Sequence, residues 1–376
     1  MTHPPNIPLA AAPKGRCLLL LLIATLLSIT PVSSMLAADD LPDPTSEAAR
    51  QRRLRAVQSG VAYIIAQQDS EGAITDRKTQ TAMSSLAVLA LAAAGHQPTD
   101  KTPEGVAMRL ALEFVLRDEN QTDEGYFGRK DGSRMYGHGI ITLMLSEMLG
   151  MSLDPAQEKI IRNKLVKAVQ LIVRAQRVHK GNNHQGGWRY MPDSKDSDLS
   201  VTVWQVMALR SAESAGIEVP QSAIHDAVEY LKRLYCSDRD EHGKPKKAAA
   251  PFGYERNHHQ AQAPAAGLLA LQVCGLYEAP EVIGSADWHM EHPPESKMNF
   301  LFYQAYYYAT GMHLRGGKYA DRALAETQQL LLNLQRDDGS WLNNRGNESQ
   351  AGAVYSTSLA VIALSVDNYF LPIYQR

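Results

Sequence analysis

Apolar and polar positions alternate along this chain on two scales. Within segments, apolar residues recur at helical spacing. Between segments, a polar-faced stretch is followed by one that is apolar nearly all round. The apolar members are "TAMSSLAVLALAAAG" (81–95), "YGHGIITLMLSEMLG" (136–150), "DLSVTVWQVMALRSAESAG" (198–216), "AQAPAAGLLALQVCG" (261–275), "FLFYQAYYYATG" (300–311) and "AVYSTSLAVIALSV" (353–366). Their few charges predict burial on most sides. The amphipathic members are 47–67, 103–117, 155–177, 221–235 and 319–335, with a short, weaker one within 279–292. Gly95, Gly150, Gly216 and Gly275 stand where a helix ends in a left-handed residue. Six such pairs predict twelve helices in six hairpins, arranged as a solenoid or a closed ring. Apolar inner helices alternating with amphipathic outer ones favour an all-α (α/α)6 toroid, with an open solenoid as the alternative.

The turns between hairpin members share a phrase. "QRDDGSW" places Gln335, Gly339 and Trp341 at the end of the last amphipathic segment. "QDSEGAI" (68–74) and "QTDEGYF" (121–127) keep the glutamine and glycine, and "GGWRY" (186–190) and "PFGY" (251–254) keep a glycine and an aromatic. Glycine permits the turn, and the aromatic can pack back on the helix ends.

Gln-x3-Gly-x-Trp at 335–341 resembles the QW repeat of squalene and hopene cyclases. The paired-helix layout over roughly 47–370 resembles protein prenyltransferase β subunits. "GGWRYMPDSKDSDLSVTVWQVMALRSA" and the ending "YSTSLAVIALSVDNYFLPIYQR" look similar to exported bacterial proteins with prenyltransferase/squalene-oxidase repeats. This resemblance implies a toroid, and for a cyclase a D-x-D-D motif whose middle aspartic acid protonates the substrate. Asp196 and Asp198 match its first and third positions, so Asp198 falls on the acid; Leu199 stands where the fourth aspartate belongs. A catalytic acid must be kept protonated by desolvation and a neighbouring carboxylate. The alternative is that Asp198 or Ser200 caps the following helix.

The outer-to-inner connections are long and the reverse ones short, so all long loops fall at one end of the ring, the end expected to carry function. The inner-helix N-termini point there too, a setting that favours anionic groups. Trp188, Tyr190, Tyr254 and Trp341 lie in these loops, beside Asp123, Glu124, Asp196 and Asp198, and are candidates for holding a glycan, with Arg129, Arg134, Arg189 and Arg345 for acidic sugars. Tyr303, Tyr306 and Tyr307 share a helical face and, with Trp204, Tyr355 and His138, are candidates for lining a central cavity or for filling the core.

Charge and composition narrow the choices. Lys14 and Arg16 precede an apolar run from Cys17 to Ile29 and then "TPVSSMLAADD", which reads as a signal peptide over 1–38 ahead of one toroid domain, 39–376. Export follows, periplasmic or extracellular, without exclusion of an anchoring role for the leader. Without residues 1–38 the chain has 36 basic and 40 acidic side chains, which argues against nucleic acid. No other segment is long enough to span a membrane. Cys236 and Cys274 sit at opposite ends of the fourth hairpin, roughly 20 Å apart, beyond the reach of a disulfide. Two free thiols are expected, with Cys274 buried. Zinc chemistry of the prenyltransferase kind needs Asp, Cys and His together. Cys236 precedes Asp238, and the adjacent His258 and His259 do not converge on one ion, so neither metal nor cofactor is expected. The leading expectation is a protein that binds an apolar or glycan ligand, or a protein partner. A terpene cyclase-like enzyme and a polysaccharide-active enzyme are the alternatives.

Overall fold

A computed structural model describes residues 43–151, 154–255, 263–368 and 370–375. The signal-peptide reading lies outside them. Twelve α-helices occupy the described residues in chain order. The outer helices are α1 (Glu47–Ala66), α3 (Pro103–Val115), α5 (Pro155–Gln176), α7 (Gln221–Arg233), α9 (Pro280–Glu291) and α11 (Lys318–Leu334). The inner helices are α2 (Gln80–Ala93), α4 (Arg134–Met148), α6 (Leu199–Ser214), α8 (Pro264–Val273), α10 (Leu301–Arg315) and α12 (Ala353–Leu364). The inner helices pack in the cycle α2, α4, α6, α8, α10, α12 and back to α2. Outer helices bridge neighbouring inner ones, α5 on α4 and α6, α7 on α6 and α8, α1 on α12 and α2. This is the closed α/α toroid, not the open solenoid. The described residues hold no β-strand, only isolated bridges such as Gln68 with Ile74 and Trp188 with Asp198. None of their helices is long and apolar enough to cross a membrane.

The repeated phrase works as a clasp. Gln335 Nε2 donates to the Gly339 carbonyl in its own turn and to the Ala56 carbonyl in α1, each at 2.9 Å. Gln68 does the same to Gly72 and to Ala107 of α3, and Gln121 to Gly125 and to Lys164 of α5. Gln176 joins Gly186 to Ala223 of α7. This fourth clasp spans ten residues where the others span four, and so escaped the spacing pattern. Each clasp glycine has a positive φ, 92° at Gly72, 97° at Gly125, 94° at Gly186 and 84° at Gly339. A Cβ there would lie 2.2–2.5 Å from a carbonyl oxygen of the next outer helix, so glycine is required twice over.

The third element of the clasp is the residue two past the glycine. Its backbone N–H is accepted by an inner-helix side chain: Ser84 for Ile74, His138 Nδ1 for Phe127, Thr202 for Trp188, Thr357 for Trp341. Own turn, next outer helix and inner helix are thus tied at one point. Gln335→Ala strands two carbonyls at the seam joining the last hairpin to the first. It is expected to cost about 1–3 kcal/mol, measured as a shifted urea midpoint with an unchanged slope.

Two local expectations need correction. The helix expected to stop at Gly311 continues to Arg315 and ends at Gly316, φ 79°. Gly311 instead faces α8, where a Cβ would lie 3.3 Å from Leu268 and where its carbonyl accepts from Gln272. Both cysteines are free, as expected, but it is Cys236 that is buried while Cys274 is only partly so.

Candidate functional site

The ring interior is filled over part of its depth and open over the rest. An aromatic column fills it: Trp204 stacks on Tyr306 with centroids 5.8 Å apart, Tyr307 packs on both, and Tyr303 meets Tyr307 edge-on. The C-terminal turn Pro372–Tyr374 enters the same column, with Tyr374 packed against Tyr306. The open part is a cavity of about 340 Å³. It lies at the N-terminal ends of the inner helices, the long-loop end. Its walls come from α2 (Ala82, Met83), α4 (Tyr136, Ile140), α6 (Ser200), α10 (Tyr303) and α12 (Tyr355), with Tyr190, Tyr254, Phe300, Asn347 and Glu348 from the loops.

Of the expected ligand residues, Tyr190, Tyr254, Tyr303 and Tyr355 meet on this cavity. Trp188, Trp204, Trp341 and His138 do not line it; each is at most 1% exposed. Trp188 and Trp341 donate their indole N–H groups to Ile172 and Leu331, carbonyls of their own outer helices, which places both in clasps. His138 accepts at Nδ1 from Phe127 and donates at Nε2 to Ala168. Burial lowers its pKa to about 4, so the ring stays neutral in that role. Sequence reasoning missed Tyr136, Phe300 and Glu348 on the wall.

Asp198 is the N-cap of α6. Its Oδ1 accepts from the Val201 amide at 2.8 Å and the Ser200 hydroxyl at 2.7 Å, and its Oδ2 accepts from Tyr254 at 3.1 Å. Arg189 Nε lies 3.2 Å from the same Oδ2. The carboxyl is fully buried and stands behind the wall formed by Ser200 and Tyr254. Burial pushes its pKa up; the Val201, Ser200, Arg189 and Tyr254 donors pull the other way. Asp196 is half exposed and lies 3.6 Å from Arg189, which also pairs with Glu255. Burial and the Asp198 charge push the Tyr254 phenol well up. It therefore keeps its proton and donates it to Asp198, while Tyr190 donates to Tyr254 at 3.0 Å.

The expected preference for anions at the inner-helix N-termini is met from within. Asp131 accepts from the Ala82 amide of α2, Asp198 serves α6, and Asp76 accepts from the Ala353 amide of α12. Glu348 Oε1 accepts from Tyr303 at 2.9 Å and Oε2 from Phe302 at 3.2 Å, at the start of α10; Asn343 adds a third bond at 2.8 Å. Four of the positive helix ends thus hold the chain's own carboxylates. Among the described residues no cluster of metal-binding side chains occurs; His258 and His259 lie outside them.

No protein-family model matches the sequence, and no curated relative does. Solved structures match the fold. The GH76A α-1,6-mannanase of Salegentibacter sp. HEL1_6 is similar over 85% of this chain and 99% of its own, at 10% identity and TM-score 0.56. The cellobiose 2-epimerase of Bacillus thermoamylovorans B4167 is similar over 83% and 98%, at 9% identity and TM-score 0.55. A type II terpene cyclase from Scytonema reaches a TM-score of only 0.38 at 14% identity. The class defined by fold and comparison is the α/α toroid. The toroid that the cyclase-repeat resemblance implies is present, and no family model supports the repeats themselves.

Proposed function

We propose that this is an exported binding protein whose small-molecule ligand occupies the tyrosine-lined cavity. The cavity carries this reading: about 340 Å³, walled by five tyrosines, Phe300 and one carboxylate. Ligand sites of this kind are concave, largely apolar and oriented by a few polar groups. The cyclase alternative has less support. Asp198 is behind the wall, its oxygens engaged by four donors including a cation, which is the environment of an anchored carboxylate rather than of a proton donor. The glycan-enzyme alternative needs paired carboxylates facing the substrate, and among the described residues Glu348 is the one carboxylate that lines the cavity.

Filling the cavity tests the proposal without touching the ring. Ala351 lines it from the turn before α12 and is only partly buried. In a thermal-shift screen of small amphipathic compounds, hits should stabilise the native protein, by about 2.7 kcal/mol at a hundred times Kd. Ala351→Trp should fold normally and abolish the stabilisation. Hits that survive the substitution unchanged would remove the cavity as the site.

A further inference from the structure

Three of the cavity tyrosines have already donated their hydroxyl protons elsewhere. Tyr254 donates to Asp198, Tyr190 to Tyr254, and Tyr303 to the Ser200 carbonyl at 3.1 Å. What the cavity tyrosines have left for an occupant is mainly ring surface, whose faces carry negative potential; Arg189 already lies over one face of Tyr190 and of Tyr254, 5.0 and 5.6 Å from their centroids, so the rings of Tyr303 and Tyr355 carry most of what remains. The charges around them have the same sign. Among the described residues lining the cavity there is no Lys, Arg or His, and the one ionisable acid is Glu348. Burial pushes the Glu348 carboxyl up, while three N–H donors, two of them at the start of α10, pull the other way and favour its charged form. Arg189, behind the wall, is shared by Asp196, Asp198 and Glu255, a group with two negative charges to spare.

Resting on the cavity reading above, we infer that the ligand is a small organic cation, an alkylated or quaternary ammonium compound. Ring faces around a partly enclosed space, with one carboxylate and no cation in the lining, are what such a group needs; Arg189 approaches Tyr190 and Tyr254 from behind the wall and leaves Tyr303 and Tyr355 to the ligand. An anion would meet Glu348 and the surplus charge around Arg189 with every inner-helix end named above already capped. A neutral ligand rich in hydroxyls would find no free hydroxyl proton on Tyr190, Tyr254 or Tyr303 to accept.

The test compares choline with 3,3-dimethylbutan-1-ol, its uncharged carbon isostere, by isothermal titration calorimetry on the protein and on three variants. Choline should bind at least about tenfold more tightly than the alcohol. Tyr355→Leu exchanges an aromatic face for an equally apolar side chain, and should weaken choline about tenfold while leaving the alcohol little changed. Glu348→Gln should weaken choline by a similar factor; if that variant unfolds, Tyr355→Leu still decides. Ala351→Trp should abolish both. An alcohol that binds as well as choline, with loss in Ala351→Trp, would overturn the cation and leave the cavity reading standing. Binding of either compound that persists in Ala351→Trp, or no binding of either to the native protein, would overturn both.

Discussion

Replacing Trp341 with alanine is expected to lower the unfolding free energy by about 3–5 kcal/mol, the range for emptying a fully buried indole site. The side chain has no exposure and touches three helices. Its indole N–H donates to Leu331 of α11 at 2.8 Å, its backbone N–H to Thr357 of α12 at 2.9 Å. Its ring edge fills the space over Gly60 of α1, where a Cβ would lie only 2.8 Å from it. The substitution opens a cavity at the seam that closes the ring. Urea unfolding measures the loss, with Met191→Ala at a 45% exposed position as the control, expected within about 0.5 kcal/mol of the native protein. Trp341→Phe keeps most of the ring surface and should recover the larger part. A loss below about 1 kcal/mol in Trp341→Ala would mean that closure does not depend on this contact.

The second large effect is expected at Asp198. Alanine there removes the α6 cap, worth about 1 kcal/mol, and strands the Ser200 and Tyr254 hydroxyls, each at about 1–3 kcal/mol if unsatisfied. A total of about 2–4 kcal/mol follows, because Ser200 can turn to another acceptor while Tyr254 is held by Tyr190. Arg189 keeps Glu255 and Asp196, so the stranded-charge penalty of a lone buried ion does not apply in full. Asp198→Asn keeps one acceptor for the Val201 amide and should lose less than alanine. A variant indistinguishable in stability from the native protein would show that Asp198 is free of these partners, the condition under which the acid role would regain ground.

The helices, their pairing and the end of the ring holding the cavity are legible in the sequence, because each rests on local periodicity or on loop length. The clasp is half legible. Gln335, Gly339 and Trp341 can be read as one turn, but the Ala56 carbonyl that Gln335 also serves lies 279 residues away. The tryptophans illustrate a second limit. Gly-x-Trp is consistent both with a loop aromatic facing a ligand and with one folded back under the helix ends, and only packing decides. Trp188 and Trp341 fold back, while Tyr190, two residues after Trp188, reaches the wall. The inner-helix ends show a third. Their dipoles are predictable, but Asp131 reaches Ala82 across 49 residues and Asp76 reaches Ala353 across 277, so the caps emerge only when the ring closes. Glu348 escapes for the same reason: nothing in "NNRGNESQAG" marks a carboxylate that folds under a helix formed by residues 301–315.

The most direct measurement of the cavity's role is an NMR titration of protein labelled with ring-¹³C tyrosine. Its sixteen tyrosines are assigned by Tyr→Phe substitution, and choline chloride is added. The account predicts saturable shifts concentrated on Tyr136, Tyr190, Tyr254, Tyr303 and Tyr355, with Tyr277 and Tyr319 on the far face of the hairpins unmoved. Shifts confined to those outer tyrosines, or none on the cavity five at saturating choline, would contradict it.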